Sequence, residues 1–237
     1  MTGLKTMPSD SVVAAEVAQF DALAARWWDR SGPMAPLHAM NALRVAWVCR
    51  HLKPGSNLLD IGCGAGIASE ALARQGHRVT GIDAAGEVIA AARAHAEGQL
   101  LPLTYRAATA EALLAEGAQF DAITALEVIE HVAQPQEFLT TLAGLLAPGG
   151  VLVLSTLNRT RRSYLMAKIG AEYLLRMLPV GTHDWSKFVT PGEAGAMLRQ
   201  TGLRLTDISG MQLSPFTGRW RETTDTGVNY ILAARKD

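Results

Sequence analysis

Residues 58–66, Leu-Leu-Asp-Ile-Gly-Cys-Gly-Ala-Gly, constrain the fold of this chain more than any other stretch. A largely apolar run from Asn57 to Ile61 reads as a buried strand; it stops at Gly62, Gly64 and Gly66, where a helical pattern begins. Glycines at these positions let the backbone turn sharply and approach a ligand that a side chain would exclude. About 20 positions further on, a second apolar run ends at Asp83, where a carboxylate can accept both hydroxyls of a ribose. Strand, glycine turn, helix, strand and terminal acid in this order form the layout of a nucleotide-type cofactor site in a wound α/β sheet.

The spacing of the glycines narrows the ligand. A dinucleotide fingerprint places its third glycine three positions after the second, so that a pyrophosphate can rest on the helix N-terminus. That position is Ile67 here, which disfavours a nicotinamide-dependent oxidoreductase. Instead the glycines fall at every second position, and Asp60 precedes them where it would repel a phosphate. The pattern suits a ligand with an ammonium group and no phosphate, with Asp60, Gly62, Gly64 and Asp83 as candidate contacts. It resembles that of the class I S-adenosylmethionine-dependent methyltransferases. A glycine-rich turn in some other doubly wound protein is the competing reading.

With 237 residues, 49% of them hydrophobic, the chain can bury one large core, and a single domain with added segments is expected. Lysine and arginine together number 22, as do aspartate and glutamate, so there is no overall charge for wrapping nucleic acid. Cys49 and Cys63 alone build neither a disulfide framework nor a zinc site, which suits a reducing cytosol; Cys63 reads as a small packing residue. No run approaches the length of a membrane span, and no secretory signal layout is present, so a cytoplasmic location is expected.

Helical spacing at 11–29 and 37–51 predicts an N-terminal helical cap over residues 1–54. Strands at 57–61, 78–82, 103–106, 120–126 and 151–156 then alternate with helices at 65–75, 86–96, 110–116 and 136–146. Residues 157–189 break the alternation as an insertion after the fifth strand. A helix at 191–200 and strands at 203–209 and 228–234 complete a Rossmann-like, seven-stranded, mostly parallel sheet.

Just past the fourth strand lies Glu127-Val128-Ile129-Glu130-His131. On a helical turn Glu127, Glu130 and His131 would share one face and could bind a divalent ion such as magnesium; the bland alternative is a solvated helix start. If the acceptor of a methyl group is a phenol, a base or a metal must deal with its proton, which makes Glu127 and His131 catalytic candidates. His183, beside Asp184 at the end of the insertion, is a further candidate base, although neighbours in an extended segment point apart. The insertion itself sets Arg161, Lys168, Glu172 and Arg176 on one helical stripe among apolar residues. Such a basic, greasy segment can lie in an anionic membrane interface, cover a lipid-like substrate, or pack against the sheet or a second subunit.

Further motifs resemble one narrower group, the ubiquinone biosynthesis O-methyltransferases, over nearly the whole chain. They include Arg26-Trp27-Trp28-Asp29, Pro36-Leu37-His38 with Asn41 and Leu43-Arg44, and Glu127 with Glu130-His131-Val132. The more specific ones are Ser155-Thr156-Leu157-Asn158-Arg159, Gly170-Ala171-Glu172-Tyr173, Gly181-Thr182-His183-Asp184 and Val228-Asn229-Tyr230. The resemblance implies methylation of 2-polyprenyl-6-hydroxyphenol and of 3-demethylubiquinol. It also implies that Arg44, Gly62, Asp83 and Leu126 line the S-adenosylmethionine site, with Leu126 standing where members often carry methionine, and that Glu127, Glu130 and His131 hold magnesium in some members. A polyprenylated substrate implies peripheral attachment to the inner face of the cytoplasmic membrane and association with other quinone-biosynthesis enzymes. Another small-molecule O-methyltransferase and a non-catalytic membrane scaffold that retains the cofactor fold are the alternatives.

Overall fold

The structure is a computed structural model and describes residues 11–165, 185–214 and 217–237. Along the chain run α1 (Ala14–Asp21), a 3-10 turn (Ala24–Arg26), α2 (Ala35–His51), β1 (Asn57–Ile61), α3 (Ile67–Arg74), β2 (Arg78–Asp83) and α4 (Gly86–Ala96). There follow β3 (Leu103–Ala107), α5 (Ala110–Ala115), β4 (Phe120–Leu126), a 3-10 turn (Ile129–His131), α6 (Pro135–Leu145) and β5 (Leu146–Leu157). A 3-10 turn (Trp185–Lys187), α7 (Pro191–Gln200), β6 (Leu203–Leu213), β7 (Trp220–Thr223) and β8 (Asn229–Lys236) complete it.

The sheet has the order β3-β2-β1-β4-β5-β8-β6-β7. Its first five strands are parallel; β8 runs antiparallel to β5 and to β6, and β7 antiparallel to β6. The strand expected at 228–234 is therefore the eighth, because β7 adds a short edge strand opposite Gly210–Leu213. Its sequence, Trp-Arg-Glu-Thr, has no apolar run to announce it, and the backbone ladder with β6 is what makes it a strand.

Helices on both faces explain why the central strands are apolar throughout. Successive residues point to opposite faces: Leu59, Ile61, Leu152, Leu154, Tyr230 and Leu232 pack with α5, α6 and α7, while Leu58, Val151, Val153, Ile231 and Ala233 pack with α2 and α3. A smaller cluster joins Trp27, Cys63, Ala65, Val88 and Tyr105, and fastens the N-terminal segment to α4 and the glycine turn. Insertion positions 166–184, with Lys168, Glu172, Arg176, His183 and Asp184, lie outside the described residues.

Candidate cofactor and methyl-transfer site

Strand register assembles the site. Ile61 on β1 lies opposite Ile82 on β2 and Ala125 on β4, and Leu126 lies opposite Ser155 on β5. Asp83, Gly62, Leu126 and Ser155 consequently form one row along the carboxyl edge of the sheet, about 14 Å long at ~4.8 Å per strand. Strand order reverses between β1 and β4, the point where ligands bind in open α/β sheets. Asp83 and Leu126 flank Gly62 from opposite sides.

Gly62, Gly64 and Gly66 all adopt positive φ, at 63°, 54° and 91°. A β-carbon on Gly62 would come within 2.6 Å of Val128 Cγ2; β-carbons on Gly64 and Gly66 would collide with the Trp27 indole and the Tyr105 hydroxyl. The clearance thus serves the chain's own side chains as well as any ligand, a use the spacing alone does not disclose. Gly66 is also the left-handed cap before α3, which explains why the helix starts at Ile67 rather than at Ala65.

Asp83 is tied to this loop. Its Oδ2 accepts from the Gly64 N–H at 3.0 Å and its Oδ1 from the Ala85 N–H at 2.9 Å, which leaves a lone pair on each oxygen for a ribose hydroxyl. Burial raises its pKa, opposed by those two N–H groups. Asp60 differs from expectation. It is buried, and its carboxylate accepts from Ser69 Oγ at 2.5 Å and Thr124 Oγ1 at 2.7 Å. These bonds lock α3 and β4 to the end of β1, so Asp60 holds the loop in shape from beneath rather than presenting itself to an ammonium group.

Arg44, on α2, is 3% exposed, and its Nε has no hydrogen-bond partner. Its Nη1 stands 3.9 Å from Glu127 Oε1, and burial lowers its pKa against the pull of Glu127 and Asp60. A buried guanidinium with an unanswered N–H is costly, and a carboxylate ligand would satisfy it. With the glycine turn and Asp83 beside it, the donor set fits S-adenosylmethionine. Beyond Asp83 an apolar cleft of about 400 Å³ runs between Ala84, Ala107, Ala108 and Thr109 on the sheet side and Val12, Ala14 and Val17 from the N-terminal segment.

On the other side of the row, Glu127 has φ 58°, left-handed for a residue that rarely accepts it. That turn brings its Oε1 within 2.7 Å of Ser155 Oγ, the donor. Glu130 is buried and accepts from Thr156 Oγ1 at 2.9 Å. Burial first, and the Glu127 charge second, push its pKa well above the usual carboxylate range.

His131 turns away from this pair. Its Nδ1 is 3.1 Å from Glu16 Oε2 on α1, and its ring meets Phe20 edge-on at 5.4 Å. The expected helical face bearing Glu127, Glu130 and His131 does not form, because the left-handed Glu127 and the tight 3-10 turn replace the α-helical geometry that would align them. Among the described residues no three His, Cys, Asp or Glu side chains are grouped to hold a metal ion, and the residues present do not fit one. His183 lies outside the described residues. Cys63 is a packing residue as expected: its thiol is buried, its pKa is pushed well up by burial, and it points to the Gly64 carbonyl at 3.3 Å.

Sequence reasoning gave no role to Ser155 and Thr156, the hydroxyl partners of the two glutamates, although a polar pair ending the apolar run Val151–Leu154 was a visible signal. It also missed Glu16, whose partner is 115 positions away. Trp27 and Trp28 prove to be structural walls: Trp28 Nε1 donates to the Ala65 carbonyl at 2.9 Å, and its ring stacks on His95 at 3.4 Å.

Residues 59–154 match the model of a methyltransferase domain family. The chain is 48% identical to a ubiquinone biosynthesis O-methyltransferase of Caulobacter vibrioides, over 97% of both chains. It is 46% identical to the mitochondrial ubiquinone biosynthesis O-methyltransferase of Arabidopsis thaliana, over 98% of this chain and 76% of that one. Among solved structures, the magnesium protoporphyrin IX methyltransferase of Synechocystis PCC 6803 with bound S-adenosylmethionine superposes with a TM-score of 0.62 at 18% identity, over 97% of this chain and 100% of that one. That likeness establishes the shared fold.

Proposed function

The chain belongs to the ubiquinone biosynthesis O-methyltransferases, and from that membership we propose which hydroxyls it methylates and which residues do so. Members transfer a methyl group from S-adenosylmethionine to a hydroxyl oxygen in ubiquinone biosynthesis. The proposed acceptors are the phenolic hydroxyls of polyprenylated catechol-type intermediates: 2-polyprenyl-6-hydroxyphenol, giving 2-methoxy-6-polyprenylphenol, and 3-demethylubiquinol, giving ubiquinol.

In this reading Asp83 holds the ribose, Gly62 and Gly64 bring backbone close to the donor, Arg44 pairs with the methionyl carboxylate, and Leu126 contacts the adenine or its neighbourhood. The buried Arg44 with its unpartnered Nε is the observation that carries the assignment. S-adenosylmethionine supplies an electrophilic methyl group on a sulfonium. The chain's part is to orient the phenol and take its proton. Glu127 is the proposed proton acceptor: Ser155 fixes its carboxylate. As the O–CH3 bond forms and the S–CH3 bond breaks, the phenolic proton moves to Glu127, so a neutral methyl ether and S-adenosylhomocysteine are left.

We also propose that the root of the insertion meets an anionic membrane surface on the cytoplasmic side, where a polyprenyl tail resides. Tyr164, Leu165 and Trp185 are exposed there, beside Arg161 and Lys187. Arg159, Arg162 and Lys187 contribute less charge, since Glu193, Asp225 and Glu16 engage them. No helix among the described residues is long and apolar enough to cross a membrane.

The test is labelled methyl transfer to 3-demethylubiquinol and to an unprenylated catechol. Transfer favouring the prenylated acceptor is expected, and equal transfer to both would overturn the substrate assignment. Run with and without magnesium, the same assay tests the metal reading separately; dependence on the ion would mean that Glu127, Glu130 and His131 rearrange to bind it.

A further inference from the structure

We propose that α1 is a cover over the cofactor cleft and that Glu16 couples its opening to the acceptor side of the site. Glu16 would then be a positioning residue for methyl transfer. The inference rests on the reading that Asp83 and the glycine turn hold S-adenosylmethionine.

No residue of α1 is fully buried; Val17 and Phe20 rest half-buried on the cluster around Trp27 and Val88. Its polar attachments include three that reach other elements. Asp21 Oδ1 accepts from the Glu87 and Val88 N–H groups at 2.9 and 3.4 Å, and so caps α4, which has no capping side chain of its own. The Ser11 carbonyl, just ahead of the helix, accepts from the Ala133 N–H at 3.0 Å. The Glu16 carboxylate divides: Oε2 meets His131 Nδ1 at 3.1 Å, and Oε1 accepts from Lys187 Nζ at 3.3 Å. A helix whose apolar residues are only half-buried and whose remaining ties are polar opens locally at lower free energy than the fully buried sheet beneath it.

The position of α1 gives that opening a consequence. Ala14 and Val17 form one wall of the cleft whose opposite wall begins at Ala84, directly after Asp83. A nucleoside anchored on Asp83 exchanges past this helix. Yet both anchors of Glu16 belong to the other half of the site. His131 ends the turn that carries Glu130, and Lys187 ends the turn that leads to Phe188 and Val189, whose carbonyl accepts from the buried Tyr230 hydroxyl at 3.0 Å. One carboxylate therefore links the cofactor's cover to two segments bordering the acceptor. By linkage, an acceptor that stabilises those segments strengthens cofactor retention, and the cofactor does the same for the acceptor.

The experiment is stopped-flow displacement of S-adenosylhomocysteine from the full chain, with and without an unreactive prenylated methoxyphenol. Glu16→Gln should raise the dissociation rate by about 5-fold or more and abolish the slowing that the phenol causes in the unaltered protein. Lys187→Ala should give part of the same effect, and the double variant should fall short of the sum of the two. If Glu16→Gln fails to fold, Lys187→Ala carries the test. Unchanged release with intact phenol dependence would overturn the proposal, whether or not the melting temperature falls. Unchanged cofactor affinity in Asp83→Asn would instead overturn the underlying placement of the cofactor, so the two failures are distinguishable.

Discussion

In the proposed reading Asp83 serves two ends with one carboxylate, shaping the glycine turn through Gly64 and Ala85 while keeping lone pairs for a ribose. Asparagine has a single acceptor oxygen, so Asp83→Asn forces a choice between loop and ligand. Hydrogen bonds to a charged group contribute about 1.5–3 kcal/mol, so S-adenosylmethionine affinity should fall about 10- to 100-fold; calorimetry reads it directly. At Glu127 the expectation is different. Glu127→Gln preserves the Ser155 bond and removes the base, so kcat should drop by about 100-fold or more while the KM for S-adenosylmethionine stays within a factor of a few, measured by steady-state kinetics. The places of Asp83 and Gly62 at the carboxyl edge were legible in the sequence because they follow from the strand ends on which these residues stand. The geometry of Glu127, Glu130 and His131 was not, since nothing in a glutamate announces a left-handed backbone, and that one φ value undoes the expected alignment.

Elements buried on both sides were the easiest to read: β1, β4 and β5 follow their apolar runs because each face meets a layer of helices. The N-terminal segment was harder. A helix through 11–29 was expected, but the chain stops at Asp21, makes a 3-10 turn and bends so that Trp27 can lie on Gly64, a demand made by tertiary contact and invisible to periodicity. Helix α7 shows what local chemistry can specify. Thr190 Oγ1 accepts from the Glu193 N–H at 3.2 Å, and the Glu193 carboxylate accepts from the Thr190 N–H at 2.9 Å, a reciprocal capping box. Thr190→Ala should lower unfolding free energy by about 1 kcal/mol at neutral pH. The Thr190 backbone N–H first, and also the Thr190 hydroxyl, which donates to the same carboxylate at 2.9 Å and which alanine lacks, hold the Glu193 pKa below its unfolded value. Its contribution is therefore present above the ordinary carboxylate range and is lost as pH falls through the lowered value. Urea titrations at pH 7 and at pH 3 should show the penalty of Thr190→Ala shrinking in acid.

Across the whole molecule positive and negative residues balance, so long-range attraction to an anionic surface has no net charge to draw on. Any membrane contact must come from local arrangement, and the proposed contact is the root of the insertion: Leu165 is 57% and Trp185 37% exposed, with Tyr164 set edge-on to Trp185 at 6.0 Å. The two contributions are separable by lipid composition. Each basic residue near an anionic bilayer is worth about 1 kcal/mol, so Arg161→Glu, a change of two charges, should weaken binding to phosphatidylserine-containing vesicles by roughly 30-fold and leave binding to neutral vesicles unchanged. Trp185→Ser removes apolar contact instead and should weaken binding to both. Co-sedimentation at two ionic strengths reads the difference, because only the charge term is screened by salt. If Arg161→Glu and the unaltered chain partition equally onto anionic vesicles, the polyprenyl acceptor must reach the site by a route that does not involve this surface.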